Sequence, residues 1–173
     1  MGEETLRILL VEQDEDEYRL TLGLLDEGLK GRFDLQWAPT YEEAVRAVES
    51  GQHDVALVNL RLGDHDGLEL LSHTIGHNCQ VPVIILTERG DQKIELEALR
   101  SGAADCLDKD VLRNDLASML LVRSVCFAVE RAHMLEAQNQ TRTEGYPAHT
   151  ADLAPAAAAG RSEPGSWDGS AYL

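Results

Sequence analysis

Basic residues are scarce in this chain. Fifteen lysine and arginine side chains stand against thirty-one aspartate and glutamate side chains, so the 173 residues carry a formal net charge of −16. A chain this acidic repels nucleic acid and anionic membrane surfaces, and neither is expected as a direct partner. Solubility alone accounts for such acidity. The sharper alternative is that some of the carboxylates gather around a metal ion.

Cysteine is also rare, and the thiols follow no pairing pattern. Cys79, Cys106 and Cys126 are odd in number and lack CxxC or Cys/His metal-ligand spacing. Reduced thiols and a cytoplasmic location are therefore expected. The N-terminal residues hold one short apolar run and then turn acidic, which predicts neither a signal peptide nor a membrane span. No GxGxxG or GKS/T loop follows a predicted strand, which argues against nucleotide binding.

Long apolar runs are missing, but five short ones alternate with amphipathic stretches. The predicted strands are Leu6–Val11, Phe33–Trp37, Asp54–Val58, Val81–Leu86 and Ala104–Leu107. Runs of Val, Leu and Ile without polar alternation are typical of strands that are buried on both faces of a parallel sheet. Because strand and helix alternate five times, the sequence predicts an α/β fold with a doubly wound five-stranded parallel sheet of order 2-1-3-4-5.

The last predicted helix is unusually long, running from Val111 to about Thr141. Its apolar residues continue a 4-3-4-3 spacing through Leu121, Val125, Ala128, Ala132 and Leu135. Two interpretations stay open, a short coiled-coil seam and an amphipathic helix that merely overhangs its domain. Beyond it the composition shifts to Pro, Gly, Ser and Ala. Residues 1–130 are thus predicted to form one domain, and residues 142–173 a disordered tail or linker.

Polar side chains stand where the predicted strands end. They are Glu12, Gln13 and Asp14 after the first strand, Asn59 after the third, Thr87 after the fourth and Lys109 after the fifth. The carboxyl ends of neighbouring parallel strands meet at one edge of the sheet, so these groups should converge on one pocket. Carboxylates, a hydroxyl and an ammonium group around a central side chain suit a Mg²⁺-assisted phosphoryl site.

Four stretches sharpen this interpretation: ILLVEQDED, DVALVNLRLGDHDGLELL, VPVIILT and GAADCLDK. In order and spacing they resemble the receiver domain of two-component response regulators, over residues 6 to about 130. The resemblance implies a flavodoxin-like receiver fold whose third strand ends in an aspartate that accepts a phosphoryl group from a histidine kinase. It further implies an acidic pair that holds Mg²⁺, a Thr or Ser and a Lys that contact the phosphoryl group, and an aromatic switch residue on the fifth strand.

Some positions match that pattern and others depart from it. Thr87 and Lys109 match, and Glu12 matches the first member of the acidic pair. The departures are Gln13 at the second and principal metal-binding acid, Asn59 at the phosphoacceptor, Cys106 at the aromatic switch and Asp110 at the proline that usually follows the lysine.

The amide of Asn59 decides the chemistry. A carboxylate oxygen can attack phosphorus, but an uncharged amide with delocalised lone pairs cannot do so at a useful rate. The metal site also loses two of its three expected negative charges, each worth about 4 kcal/mol for a unit pair at 4 Å and an effective dielectric near 20. Asp14 lies one residue too far along and points the other way. Weak or absent Mg²⁺ binding is expected, with Glu12 as the residual candidate ligand.

Each of these residues also has a simpler interpretation. Asn59 would be a polar group bonded to Lys109, and Thr87 would cap the N-terminus of a helix. Lys109 would pair locally with Asp108 or Asp110. Cys106 is more often a small core residue than a redox sensor. Four histidines show no metal-ligand spacing and are predicted to be solvated: His53, His65, His73 and His77.

These observations predict a degenerate pseudo-receiver. It would be a non-enzymatic, phosphorylation-independent module without a cofactor, acting by protein–protein contact through the fourth helix, fifth strand and last helix. The expected partners are a histidine kinase or a downstream output domain, and a second copy bound through the C-terminal helix. One alternative is a true phosphoryl acceptor that uses Asp14 or Asp64. Another is a small flavodoxin-like ligand binder.

Overall fold

The computed structural model describes residues 5–88, 90 and 92–144. Strands and helices alternate along this part of the chain, as the apolar runs predicted. In chain order they are β1 Leu6–Val11, α1 Glu15–Leu29, β2 Phe33–Ala38, α2 Tyr41–Glu49, β3 Val55–Asn59, β4 Arg61–Leu62, β5 His65–Asp66, α3 Gly67–Gly76, β6 Val83–Thr87, α4 Gln92–Arg100, β7 Asp105–Asp108, a 3-10 turn Val111–Arg113, and α5 Ala117–Glu144.

Five of the strands form one parallel sheet in the order β2-β1-β3-β6-β7. In the strand numbering used for the sequence, this is the predicted order 2-1-3-4-5. The register places Leu10 of β1 beside Leu57 of β3, and Leu57 beside Ile84 of β6. The carboxyl ends of the three central strands therefore lie side by side, and this edge of the sheet carries the predicted pocket.

Helices cover both faces of the sheet. Alternate residues of β1 divide between the two sides, since Leu9 packs with α2, α3 and α4, whereas Leu10 packs with α1 and α5. Both leucines are fully buried. Successive side chains of a strand point to opposite faces of the sheet, and both faces are covered by apolar residues here. The strand sequences are therefore uninterrupted apolar runs.

The final helix differs from its prediction at both ends. Val111–Arg113 is a short 3-10 turn, and Asn114 is extended before α5 begins at Ala117. The Asn114 side chain accepts a hydrogen bond from the Leu116 backbone N–H at 2.9 Å, a local bond that competes with helix continuation. At the other end α5 reaches Glu144, so residues 142–144 are helical and not part of a tail. The remaining predicted tail, 145–173, lies outside the described residues.

The predicted coiled-coil seam is also wrong over most of its length. Leu121 and Val125 are fully buried and Ala128 is 4% exposed, because all three pack against the sheet. The 4-3 spacing there reflects packing within the domain. Only the end of the pattern is available to a partner, where Leu135 is 55% exposed. Among the described helices, none combines the length and the apolarity needed to cross a membrane.

Candidate functional site

Three of the predicted pocket residues converge at the carboxyl edge of the sheet. Glu12 directly follows β1, Asn59 ends β3, and Lys109 directly follows β7. All three are buried, with exposed fractions of 2%, 5% and 4%. Such burial is rare for ionisable side chains like those of Glu12 and Lys109 unless they are paired. The partners of these side chains therefore decide what the site can do.

Glu12 is the centre of this group. Its Oε1 accepts a hydrogen bond from Asn59 Nδ2 at 3.0 Å, and its Oε2 accepts one from Lys109 Nζ at 2.8 Å. The backbone N–H of Asp14 donates a further bond to Oε1 at 3.0 Å. Asn59 is therefore bonded to Glu12, and the interpretation that it bonds to Lys109 is wrong. Both oxygens of the carboxylate are satisfied by the protein itself.

The local pairing suggested for Lys109 is also wrong. The carboxylate of Asp108 instead accepts bonds from the backbone N–H groups of Gly90 and Asp110, at 2.8 and 2.7 Å. The ammonium group of Lys109 faces inward, and only 5% of its side chain is exposed. It thus forms a buried ion pair with Glu12, across 97 residues of sequence.

A second ion pair adjoins the first and was not predicted. Glu17 in α1 lies 3.7 Å from Lys109 Nζ, and it also pairs with Arg113 in the 3-10 turn. Arg113 also lies 3.6 Å from the carboxylate of Asp110. Three carboxylates and two cations therefore form one chain of contacts, Glu12–Lys109–Glu17–Arg113–Asp110, with one negative charge in excess. Glu17 lies on the helix that follows the first strand, one turn after the predicted pocket residues. That position in the sequence could have indicated that Glu17 reaches the pocket.

Two aromatic residues fix the backbone at Glu12. Trp37 Nε1 donates to the main-chain carbonyl of Glu12 at 2.6 Å. The Trp37 ring stacks on Tyr18, with ring centroids 4.5 Å apart. Trp37 was predicted only as a strand residue. Its position near the end of β2, the strand beside β1, was the signal for this second role.

Gln13 and Asp14 do not join the Glu12 network through their side chains. Both are exposed. The Asp14 carboxylate caps α1, accepting from the backbone N–H groups of Asp16 and Glu17 at 2.8 and 3.1 Å. Asp64, the other carboxylate considered as a phosphoacceptor, is exposed in the turn between β4 and β5. The loop after β3 contains a short hairpin, formed by β4 and β5, that was not predicted from the sequence.

Thr87 and Cys106 form a separate pair beside the network. Thr87 ends β6, and its hydroxyl donates a long bond to the Leu107 carbonyl at 3.5 Å. Burial raises the pKa of the Cys106 thiol to about 11, the nearby charge of Glu95 adds to the rise, and a hydrogen bond with Thr87 opposes it. The thiol is therefore neutral near pH 7 and a poor nucleophile. Its packing against the core agrees with the simpler interpretation of Cys106.

The structure brings two of the four histidines together. His73 and His77 lie one helical turn apart and, with Glu49, place three metal-ligating atoms within 4.8 Å of one another. His53 and His65 do not belong to this group.

The pocket and the sheet order together define the class of protein, a doubly wound α/β domain of receiver type. The model of the response regulator receiver domain family matches residues 8–121. This chain belongs to that family. Receiver domains of two-component systems are regulatory modules that interact with histidine kinases and output domains.

Curated relatives and solved structures agree with this assignment. The transcriptional regulatory protein QseB of Haemophilus influenzae is 33% identical over 116 residues, which is 66% of this chain and 51% of QseB. The transcriptional regulatory protein PmrA of Pectobacterium parmentieri is 34% identical over 112 residues, 64% of this chain and 49% of PmrA. The chain thus spans about half the length of these relatives.

A solved receiver domain protein from Clostridium thermocellum superimposes with a TM-score of 0.64 at 21% identity. The match covers 75% of this chain and 98% of that one. This likeness confirms the flavodoxin-like receiver fold.

Proposed function

We propose that this chain is a phosphorylation-independent pseudo-receiver in two-component (phosphorelay) signalling, and that it acts by protein–protein contact. One observation carries the proposal. The central carboxylate of the pocket, Glu12, is neutralised by Lys109 and hydrogen-bonded by Asn59. The residues at which phosphoryl chemistry would take place therefore satisfy one another in a closed, buried network.

The nucleophile is the first element that phosphoryl transfer lacks here. Asn59 offers an uncharged amide in place of a carboxylate, and its Nδ2 already donates to Glu12. The alternative acceptors fit less well. Asp14 uses its carboxylate to cap α1, and Asp64 lies in an exposed turn between β4 and β5. Asn59 therefore holds the phosphoacceptor position without its chemistry.

The donor set does not fit Mg²⁺ either. This ion requires near-octahedral oxygen ligands and is usually held by carboxylates. Glu12 is the only carboxylate that the predicted set directs into the pocket, and its charge is balanced by Lys109 at 2.8 Å. A divalent cation at Glu12 would lie against that ammonium group, where each unit pair at 4 Å repels by about 4 kcal/mol. We therefore propose weak or absent Mg²⁺ binding, no cofactor and no enzymatic activity.

Partner contact is assigned to the face formed by α4, β7 and α5. Exposed apolar side chains lie on its two helices, including Leu96 and Leu99 of α4 and Leu135 of α5. The partners proposed are a histidine kinase, an output domain or a second copy of the chain. With a net charge of −16, nucleic acid is not among them. The three free cysteines fit a reducing cytoplasm.

Phosphorylation is tested by incubating the full chain with acetyl phosphate and Mg²⁺ and measuring its intact mass. We expect no stoichiometric phosphoryl adduct. The matched variant is Gln13→Asp/Asn59→Asp, which supplies the two carboxylates that the family pattern has at these positions and should gain one phosphoryl group. A stoichiometric adduct on the unaltered chain would reject the proposal, and mapping it to Asp14 or Asp64 would establish the alternative.

Self-association is tested on the exposed end of α5. Removing the chain beyond Leu121 would also remove the buried Val125, so point substitutions are cleaner. Leu135→Glu should convert a dimer into a monomer in sedimentation experiments. Met119→Glu, at a residue equally exposed but near the start of the helix, should leave the mass unchanged. Equal masses for both variants and the parent chain would remove dimerisation through this end of α5.

A further inference from the structure

Two helices present a second group of ligand-type side chains, far from Glu12 in sequence and independent of the proposed function. Glu49 is the last residue of α2, His73 lies inside α3, and His77 follows the last residue of α3. Their ligand atoms lie within 4.8 Å of one another. His73 and His77 share one face of α3 because they are four residues apart, and Glu49 reaches them from the neighbouring helix.

The hydrogen bonds orient these imidazoles as ligands. His77 Nδ1 lies 2.9 Å from the main-chain carbonyl of His73. A carbonyl oxygen only accepts, so Nδ1 carries the proton and Nε2 keeps a free lone pair. Metal-bound histidines commonly have this arrangement, in which a bond from the second ring nitrogen fixes the tautomer. The His77 ring also stacks on His73, with centroids 3.9 Å apart, which limits its rotation.

The third ligand is already in place beside the other imidazole. His73 Nε2 and Glu49 Oε1 are 2.9 Å apart, whereas ligands of a tetrahedral zinc ion are separated by about 3.3 Å. This pair must therefore move slightly apart to admit an ion. The proton that now bridges His73 and Glu49 must leave Nε2, either to solvent or to Nδ1 of the same ring, so the lone pair of His73 can bind the metal.

We propose that Glu49, His73 and His77 form a surface site for a divalent transition ion of the zinc class. Two imidazoles and one carboxylate favour such ions, whereas Mg²⁺ and Ca²⁺ prefer oxygen donors alone. Three protein ligands leave one tetrahedral position for water or for a group from a partner. The ion would join the C-terminal ends of α2 and α3 and restrain the helices against each other.

The test is a calorimetric titration of the metal-stripped full chain with Zn²⁺. We expect one equivalent to bind, and His77→Ala or His73→Ala to weaken binding at least about tenfold, the lower range found for disturbing the surroundings of a metal ligand. His65→Ala is the matched control. His65 is exposed, like His77, and paired with a carboxylate, like His73, through Glu69 at 2.7 Å. It lies outside the three-residue group, so its loss should leave the affinity unchanged.

Cys79 needs its own control, because it lies two residues beyond His77. Cys79→Ser should retain the affinity, and Co²⁺ in place of Zn²⁺ should show no thiolate charge-transfer band. Bound Zn²⁺ should also raise the midpoint of thermal unfolding in the parent chain and not in His77→Ala. That comparison is made only if circular dichroism shows both chains folded; should His77→Ala unfold, Glu49→Gln takes its place.

Three results would overturn the proposal. One is the absence of a calorimetric Zn²⁺ signal in the parent chain. Another is equal affinity in the parent chain, His73→Ala and His77→Ala. The last is loss of binding in Cys79→Ser with a thiolate band in the parent, which would assign the ion to the thiol.

Discussion

The two ends of the parallel sheet each carry an ion pair that ties β1 to another part of the chain. At the carboxyl end, Glu12 and Lys109 approach to 2.8 Å, and their side chains are 3% and 5% exposed. At the amino end, Arg7 and Asp54 approach to 2.7 Å, but their side chains are 53% and 20% exposed. The distances are nearly equal, whereas the surroundings differ completely.

This difference shows that distance alone does not rank ion pairs. Water and dissolved ions screen the Arg7–Asp54 pair, and exposed pairs add little to stability. The Glu12–Lys109 pair has lost its water, which costs several kcal/mol per ion and is offset only when partners are complete. Asn59 completes the set by donating to Glu12. Removing one partner should therefore destabilise the fold more at the buried pair than at the exposed pair.

The largest expected effect follows from removing one charge at the buried end. Lys109→Met leaves Glu12 without its cation and should lower the free energy of unfolding by about 3–5 kcal/mol, measured by urea denaturation. Arg7→Met, at the amino end, should cost clearly less. Adding Glu12→Gln to Lys109→Met should recover part of the loss, since no unpaired charge is left. Equal losses for Lys109→Met and Arg7→Met would contradict the contrast between the two ends.

The carboxyl end is also crowded by backbone, which gives a second and smaller effect. A Cβ on Gly67 would lie 2.7 Å from the main-chain oxygen of Asn59, so the end of β3 must shift to admit it. Gly67→Ala should therefore cost about 1–3 kcal/mol in the same urea experiment. Gly76→Ala is the control, because its Cβ would meet nothing within 4 Å and alanine favours helix. Similar free energies of unfolding for the two variants would show that the end of β3 can shift without a cost in stability.

Most of the fold could be predicted from sequence because it rests on local apolar patterns. The strands are short runs such as LRILLV, and a strand between two helical layers needs no polar face. The break before α5 could not be predicted in this way. A hydrogen bond from the Leu116 backbone to the Asn114 side chain lies at this break and competes with helix continuation. The buried role of Leu121 and Val125 was missed because packing on a sheet and packing in a coiled coil give the same spacing.

The site was predictable in position but not in connectivity. Parallel strands bring their carboxyl ends together, so Glu12, Asn59 and Lys109 could be placed in one pocket from their strands alone. Their hydrogen-bond partners depend on side-chain direction. Sequence neighbours suggested that Lys109 pairs with the adjacent aspartates, whereas its side chain points inward to Glu12. Glu17 was missed for the same reason, since it enters the network from a helix.

The smallest expected effect concerns the amino end and its dependence on pH. Burial of Asp54 opposes its ionisation, but the hydrogen bonds from Arg7 outweigh it and lower the pKa of Asp54 below its ordinary value. A carboxyl group with a lowered pKa stabilises the fold above its unfolded pKa of about 3.9 and loses that contribution as the pH falls through the folded value. The parent chain should therefore be slightly more stable than Asp54→Asn at neutral pH, and urea titrations should show the difference shrinking below about pH 4. A difference that stayed constant in acid would mean that the hydrogen bonds, and not the charge of Asp54, hold β1 to β3 at this end.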